Sequence, residues 1–519
     1  MGDVVLGVDI GTSSSKAVLV RPDGEVVASS SRAHRMSLPR PGWAEMDAEV
    51  DWWGDVVALC RELVPLVPAG DRLSAVCPSG IGPCLVLVGE DGRALGPAVL
   101  YGVDSRAGAE VDELGERLGP AALEERCGSG LSSQALGPKL LWARRERPEA
   151  WARARTWHGC SSFVVSRLTG VDALDHHTAS QCDPLYDLRS RGWSEDWAVE
   201  VVGDLPLPRL VAPDDVVGVV TASASALTGL PEDLPVVAGA VDAWVEALGA
   251  GVRRPGDLML MYGSTSFAVQ VSPGLRRRPP LWATCGLDEG SYTLSGGTAT
   301  AGSLTAWVQD LTGGASFEDL VREAGAVAPG ADGLLVLPYL AGERTPVFDP
   351  RARGVVAGLT LRHGRGHLYR AALEGIALGV AQVLDLFSDA AGASRPVVAV
   401  GGGTRGGLWT QITSDVTGRA QVVPEQAIGA SYGAALLAAE GVGLVPRGTD
   451  WSRPGRLVEP DPALRGLYDD LAGAFASLYP ATREAVGVLA AVDEGGGTRP
   501  GAHGRPGVPA DAREPGDLA

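Results

Sequence analysis

Two carboxylates stand where an apolar run ends. Asp9 closes the run of "VVLGVDIGTSSSKAVLV" (residues 4–20) just before Gly11, Thr12, Ser13 and Ser14, with Lys16 beyond. Asp242 follows the apolar run of "PVVAGAVDAWVEALGAG" (residues 235–251). A tight Gly-hydroxyl hairpin tip exposes consecutive backbone amides, which with the hydroxyls make an anion-binding concavity. A strand-end aspartate beside it suits a Mg²⁺ ion carried with phosphates, usually through waters. Asp242 is placed to take a proton from an attacking hydroxyl, although a helix N-cap aspartate has the same spacing. A second tip, Gly263, Ser264 and Thr265 in "DLMLMYGSTSFAVQVS" (residues 257–272), repeats the first. Two such tips fit a clamp on a triphosphate.

A third glycine cluster lies in "VVAVGGGTRGGLWTQITSDVTG" (residues 397–418). A buried strand, Gly402 and Gly403, and then a helix start let a flat base or sugar lie against backbone. The small-residue segment "AIGASYGAALLAA" (residues 427–439) suits close packing against that loop.

The elements that must position these residues follow from patterning. A β-meander with Asp23-Gly24 at a hairpin turn opens the chain, and a helix after Asp47 follows. Residues 105–210 read as mostly helical. "RRPGD" (residues 253–257) is a joint between two similar halves, which predicts α/β domains over 1–247 and 255–490 facing one cleft. Residues 491–519, rich in Gly, Pro and charge, read as a disordered tail.

Composition narrows the partners. The 519-residue chain has a net charge of −19, which argues against nucleic acid and anionic membranes. It also leaves phosphate binding to local amides and dipoles. Seven scattered cysteines without metal-ligand spacing read as reduced thiols, and no run spans a bilayer, so the expectation is a cytoplasmic protein.

Taken in order over roughly residues 4–480, these stretches resemble the FGGY carbohydrate kinases of the actin-like, ribonuclease-H-like ATPase superfamily. The first tip is similar to that family's first phosphate motif. "GWAEMDAEVDWW" (residues 42–53), "RLTG" (167–170) and the long "LPYLAGERTPVFDPRARGVVAGLTLRHGRGHLYRAALEGIALGV" (337–380) resemble further family stretches, and "GGGTRGGLWTQITSDV" (401–416) resembles its adenosine motif. The resemblance implies two actin-like domains with ATP, Mg²⁺ and a sugar in the cleft between them. Asp242 then matches the catalytic base, Asp9 the acidic group near Mg²⁺, Ser13, Ser264 and Gly302 the phosphate lining, and Gly403 a position beside adenosine. Homodimers are common among such relatives.

Within the family the resemblance is to xylulokinases, with departures on the sugar side. "SGIGPC" (residues 79–84) puts Gly82 and Pro83 where many xylulokinases carry Met and His, and "YGVDSR" (101–106) is one residue longer than the usual stretch, with Asp104 left to accept sugar hydroxyls. A ketopentose such as D-xylulose is therefore the leading acceptor. Another pentulose, a hexulose, a tetritol or glycerol is the alternative, as is a non-catalytic regulatory member. His176 and His177 read as a surface pair, Trp43 as a candidate sugar platform, Trp142 as core, and Glu343 with Arg344 as a buried pair.

Overall fold

The computed structural model describes residues 2–387, 395–426 and 428–495; of the expected tail, residues 496–519 lie outside the described residues. The first sheet contains β1 (Asp3–Ile10), β2 (Ser14–Val20), β3 (Val26–Ala33), β4 (Arg72–Gly80), β5 (Val216–Val219) and β6 (Pro235–Val237), in the order β5-β6-β4-β1-β2-β3. The second contains β7 (Leu258–Tyr262), β8 (Ser266–Ser272), β9 (Trp282–Cys285), β10 (Tyr292–Gly297), β11 (Val397–Val400), β12 (Gln421–Val423) and β13 (Arg456–Val458), in the order β9-β10-β8-β7-β11-β12-β13.

Each sheet is built on the same five strands. β1 runs antiparallel to β2, β2 antiparallel to β3, and β1 and β6 parallel to β4. β7 runs antiparallel to β8, β8 antiparallel to β10, and β7 and β12 parallel to β11. The repeat expected from the two hairpins is thus a repeat of whole sheets. β1 reads as an apolar run because seven of its eight positions are buried, as a central strand covered on both faces requires.

The helices that matter here are α1 (Asp55–Leu63), α2 (Asp242–Gly249), α3 (Gly302–Leu311), α4 (Arg365–Leu386), α5 (Leu408–Thr417), α6 (Ala430–Gly441) and α7 (Arg465–Gly495). α7 carries regular structure through Gly495, four residues past the expected start of the tail at 491. Residues 105–210 mix short strands with the helices expected there, among them Ala154–His158 and Arg209–Val211.

α6 departs from expectation. Instead of packing on the glycine loop at 401–404, it lies against β1, β4 and α2 of the first half. Glycines permit it: a Cβ on Gly7 would stand 2.0 Å from the Ser431 carbonyl oxygen, and one on Gly433 would stand 1.9 Å from that of Val245. Side chains on both elements were removed so that backbone could meet backbone.

The joint at 253–257 is pinned. The Arg253 guanidinium donates to both oxygens of Glu440 on α6, at 2.7 and 2.9 Å, and to Asp288 Oδ2 at 2.9 Å. Among the described residues no helix is long and apolar enough to cross a membrane. All seven cysteines are buried and unpaired with one another.

Candidate active site

The carboxylates meet at the carboxyl ends of the first sheet. Asp9 stands opposite Ser79 on β4 and opposite Lys16 on β2. Its Oδ1 accepts the Ser79 hydroxyl at 3.1 Å. One residue on, Gly80 pairs with Val241, which delivers Asp242 to the start of α2 beside Asp9. Burial first, and then the neighbouring charge of Asp9, push the Asp242 carboxyl well above the usual carboxylate range. Asp9 is also raised by burial, against the opposing pull of Ser79 and Lys16. Glu246, one turn along α2, is pushed up to about 7 by burial and by Asp9. A pair of carboxyls that resist ionisation together is a poised proton acceptor awaiting positive charge.

The first tip lies next to this pair. Gly11 N–H donates to the Ser14 carbonyl at 3.0 Å, closing the turn over Thr12 and Ser13. Thr12 Oγ1 and Tyr101 Oη lie 3.2 Å apart. Tyr101 thereby links the first tip to the "YGVDSR" stretch, a contact its place at the head of that stretch signals only as an aromatic. In the second tip Gly263 N–H donates to Thr265 O at 3.1 Å. The start of α3 docks onto it: Gly302 N–H donates to Gly263 O and Ala301 N–H to Ser264 O, both at 2.9 Å. The Gly302 amide is therefore spent on the tip. A Cβ there would stand 2.6 Å from Gly263 O, so this residue shapes the tip.

Across the cleft, a Cβ on Gly403 would stand 2.5 Å from the Trp409 ring, whereas Gly402 has open space around its Cα. The Arg344 guanidinium donates to Thr298 O at 2.6 Å, while Glu343 Oε1 accepts from Ala299 N–H and from the backbone N–H of Arg344, each at 2.7 Å. Each of these two side chains braces backbone next to the second tip, rather than forming the mutual pair expected from sequence.

The sugar side differs more. A Cβ on Gly82 would stand 2.8 Å from the Val241 side chain, next to Asp242, so Gly82 and Pro83 bring backbone close to this carboxylate and add no side-chain donor. Gln134, which no sequence motif singled out, links the two loops: its Oε1 accepts from Gly102 N–H at 3.1 Å and its Nε2 donates to Gly82 O at 3.4 Å.

Asp104 does not offer the free carboxylate expected of it. Fully buried, it accepts from the Arg106 guanidinium at 2.7 Å and from Ala44 N–H at 2.7 Å. Arg106 also reaches Glu45 at 2.7 Å and lies over the Trp43 ring, 3.9 Å from its centroid. The Trp43 platform is therefore taken by an arginine. His177 is not at the surface either: its Nδ1–H donates to Cys285 O at 2.7 Å, its ring packs tilted against Trp244 with centroids 4.4 Å apart, and burial lowers it to about 4. His176 is half-buried, with Nδ1 2.8 Å from Tyr186 Oη.

The N-terminal domain model of the FGGY family of carbohydrate kinases matches residues 4–249, and the C-terminal domain model matches residues 258–441. The chain belongs to this family. It is an ATP-dependent sugar kinase with two actin-like domains. The kinase is 31% identical to a xylulose kinase of Bacillus subtilis over 446 residues, 85% of this chain and 88% of that one. It is 28% identical to a gluconokinase of the same organism, over 84% of this chain and 87% of the relative. The crystal structure of xylulose kinase from Rhodospirillum rubrum matches at a TM-score of 0.85 and 35% identity, covering 93% of this chain and 99% of that one.

Proposed function

We propose that the kinase phosphorylates a ketopentose, D-xylulose first among them, to give D-xylulose 5-phosphate. The observation that carries the mechanism is the placing of Asp242 beside Asp9, next to the first hairpin tip. Asp242 takes the proton of the primary hydroxyl, the oxygen attacks the γ-phosphorus in line, and the bond to the bridging oxygen breaks to release ADP. The amides of Thr12, Ser13, Ser264 and Thr265 face charge developing on the phosphates, Lys16 adds a point charge, and the open backbone at Gly402, beside Gly403 packed on the Trp409 ring, accepts the adenosine. Positioning and electrostatics supply most of the acceleration.

Mg²⁺ fits this donor set. Among the described residues no cluster of three or more ligating side chains exists, so the ion would be held mainly by the phosphates and waters, with Asp9 as the protein's carboxylate. When bound it supplies positive charge to the phosphates. The same reading takes the enzyme to be cytoplasmic. A homodimer is the assembly to test, by light scattering.

Gly82 and Pro83 favour a second reading of the acceptor: without polar side chains at these positions, another pentulose, a hexulose or a polyol competes with xylulose. Turnover measured by coupled ADP release across a panel of ketoses and polyols decides between them. Asp242→Asn should lower kcat by about 10³-fold or more, within the range for loss of a general base, while MgATP binding persists. Near-normal turnover would remove Asp242 from the mechanism. ATP binding without transfer to any acceptor would favour a regulatory member.

A further inference from the structure

Each hairpin tip has carbonyl oxygens as well as amides, and a carbonyl swung toward a triphosphate repels it. In the second tip these oxygens are tied back by the start of α3: Gly263 O accepts from Gly302 N–H, and Ser264 O accepts from Ala301 N–H, Ser303 N–H at 3.1 Å and Ser303 Oγ–H at 2.9 Å. Among the described residues no helix start performs that task in the first tip. There Gly11 O and Ser13 O take their donors from one residue, His34, just past the end of β3. Its backbone N–H donates to Ser13 O at 3.0 Å, and its ring Nε2–H donates to Gly11 O at 2.8 Å.

The other ring nitrogen, Nδ1, lies 2.8 Å from Asp55 Oδ2, at the first residue of α1. A carbonyl only accepts, so the ring donates from Nε2 to Gly11 O, and the Asp55 carboxylate at Nδ1 fixes the ring's orientation. The remaining charges around it stand behind Asp55: Arg32 on β3 lies 3.7 Å from that carboxylate, and Glu62 on α1 pairs with Arg32 at 2.7 Å. The side chain is 5% exposed. In a trans peptide the C=O and N–H point to opposite sides. Tying Gly11 O back to His34 therefore turns the Thr12 amide away from β3.

We propose that His34, held in place by Asp55, is a positioning residue that shapes the first tip for the nucleotide's phosphates, as the start of α3 shapes the second. This rests on the reading that both tips hold the triphosphate. Three variants test it by calorimetric titration with MgATP, with sugar KM, kcat and thermal melting measured alongside. His34→Phe keeps the volume and loses the ring donor; nucleotide affinity should fall about tenfold, the worth of one hydrogen bond, while sugar KM holds. Asp55→Asn should retain most of the wild-type affinity, because its amide can donate to Nδ1 and leave Nε2–H on Gly11. His34→Gln, with one donor, should fall between, and serves where His34→Phe folds poorly. A lower melting temperature with unchanged nucleotide affinity would reduce His34 to a brace and overturn the inference. Wild-type protein that binds no MgATP would instead overturn the reading of the tips.

Discussion

Asp104 and Arg106 are two residues apart, and Asp104 reads from sequence as a carboxylate available to a sugar. The fold closes them on each other. Arg106 is fully buried, flanked by the Trp43 and Trp142 rings at 3.9 and 5.0 Å, and Asp104 supplies its counter-charge. Removing one member of such a pair strands the other's charge in low dielectric. Asp104→Asn should therefore cost about 3–5 kcal/mol in denaturant unfolding, with sugar KM changed only a few-fold in the protein that remains folded. A large rise in sugar KM without loss of stability would return Asp104 to the acceptor site. Asp9, Asp242 and the tip residues were legible because strand-end carboxylates and Gly-hydroxyl turns carry a local signature. Asp104, His34 and Gln134 were not. What each does depends on partners 20 or more residues away, such as Ala44 N–H, Asp55 Oδ2 and Gly82 O. The buried His177 misled for the same reason: its partner is the carbonyl of Cys285 in the other half.

The sheets were legible through their hairpins, since the alternation of apolar run, tip and apolar run appears once in each half. Helix α6 was legible as a helix of small residues but not as to which sheet it covers. Composition gives the closeness a helix can achieve, not its partner. Gly7 inside an otherwise apolar central strand was the available clue, because glycine weakens a strand unless backbone approaches closely there. Alanine at this position would meet the Ser431 carbonyl oxygen at 2.0 Å and the Ala435 nitrogen at 2.4 Å. Gly7→Ala should destabilise the protein by about 3 kcal/mol or more, since rigid backbone on both sides has to move. Gly115→Ala, inside the helix Gly108–Leu118 with open space around its Cα, should instead stabilise by about 0.5–1 kcal/mol. Urea midpoints of the two variants check both signs; equal small effects would mean that α6 does not press on β1.

At the scale of the whole molecule, buried carboxyls set how stability follows pH. Burial pushes Asp175 and Glu343 up to about 7 and Asp183 up to about 8, from 3.8 for the aspartates and 4.5 for the glutamate. Asp183 Oδ1 and Glu343 Oε2 are buried without hydrogen-bond partners. Across pH ~4–8 the folded chain holds protons at these groups that the unfolded chain releases, so unfolding becomes easier as pH rises through that window. The net charge of −19 acts in the same direction, since repulsion within the compact state grows as carboxyls ionise. The opposite class, Asp3, Asp172 and Asp349, is held below its usual range by serine, histidine, tyrosine and arginine partners and loses its contribution only as pH falls below about 4. The nucleotide-free protein should therefore melt highest near roughly pH 5 and progressively lower toward pH 8. Glu343→Gln and Asp183→Asn remove the proton exchange and should each flatten that decline. A melting temperature that climbs steadily to pH 8, or a slope that neither variant changes, would show that these carboxyls do not govern the molecule's pH response.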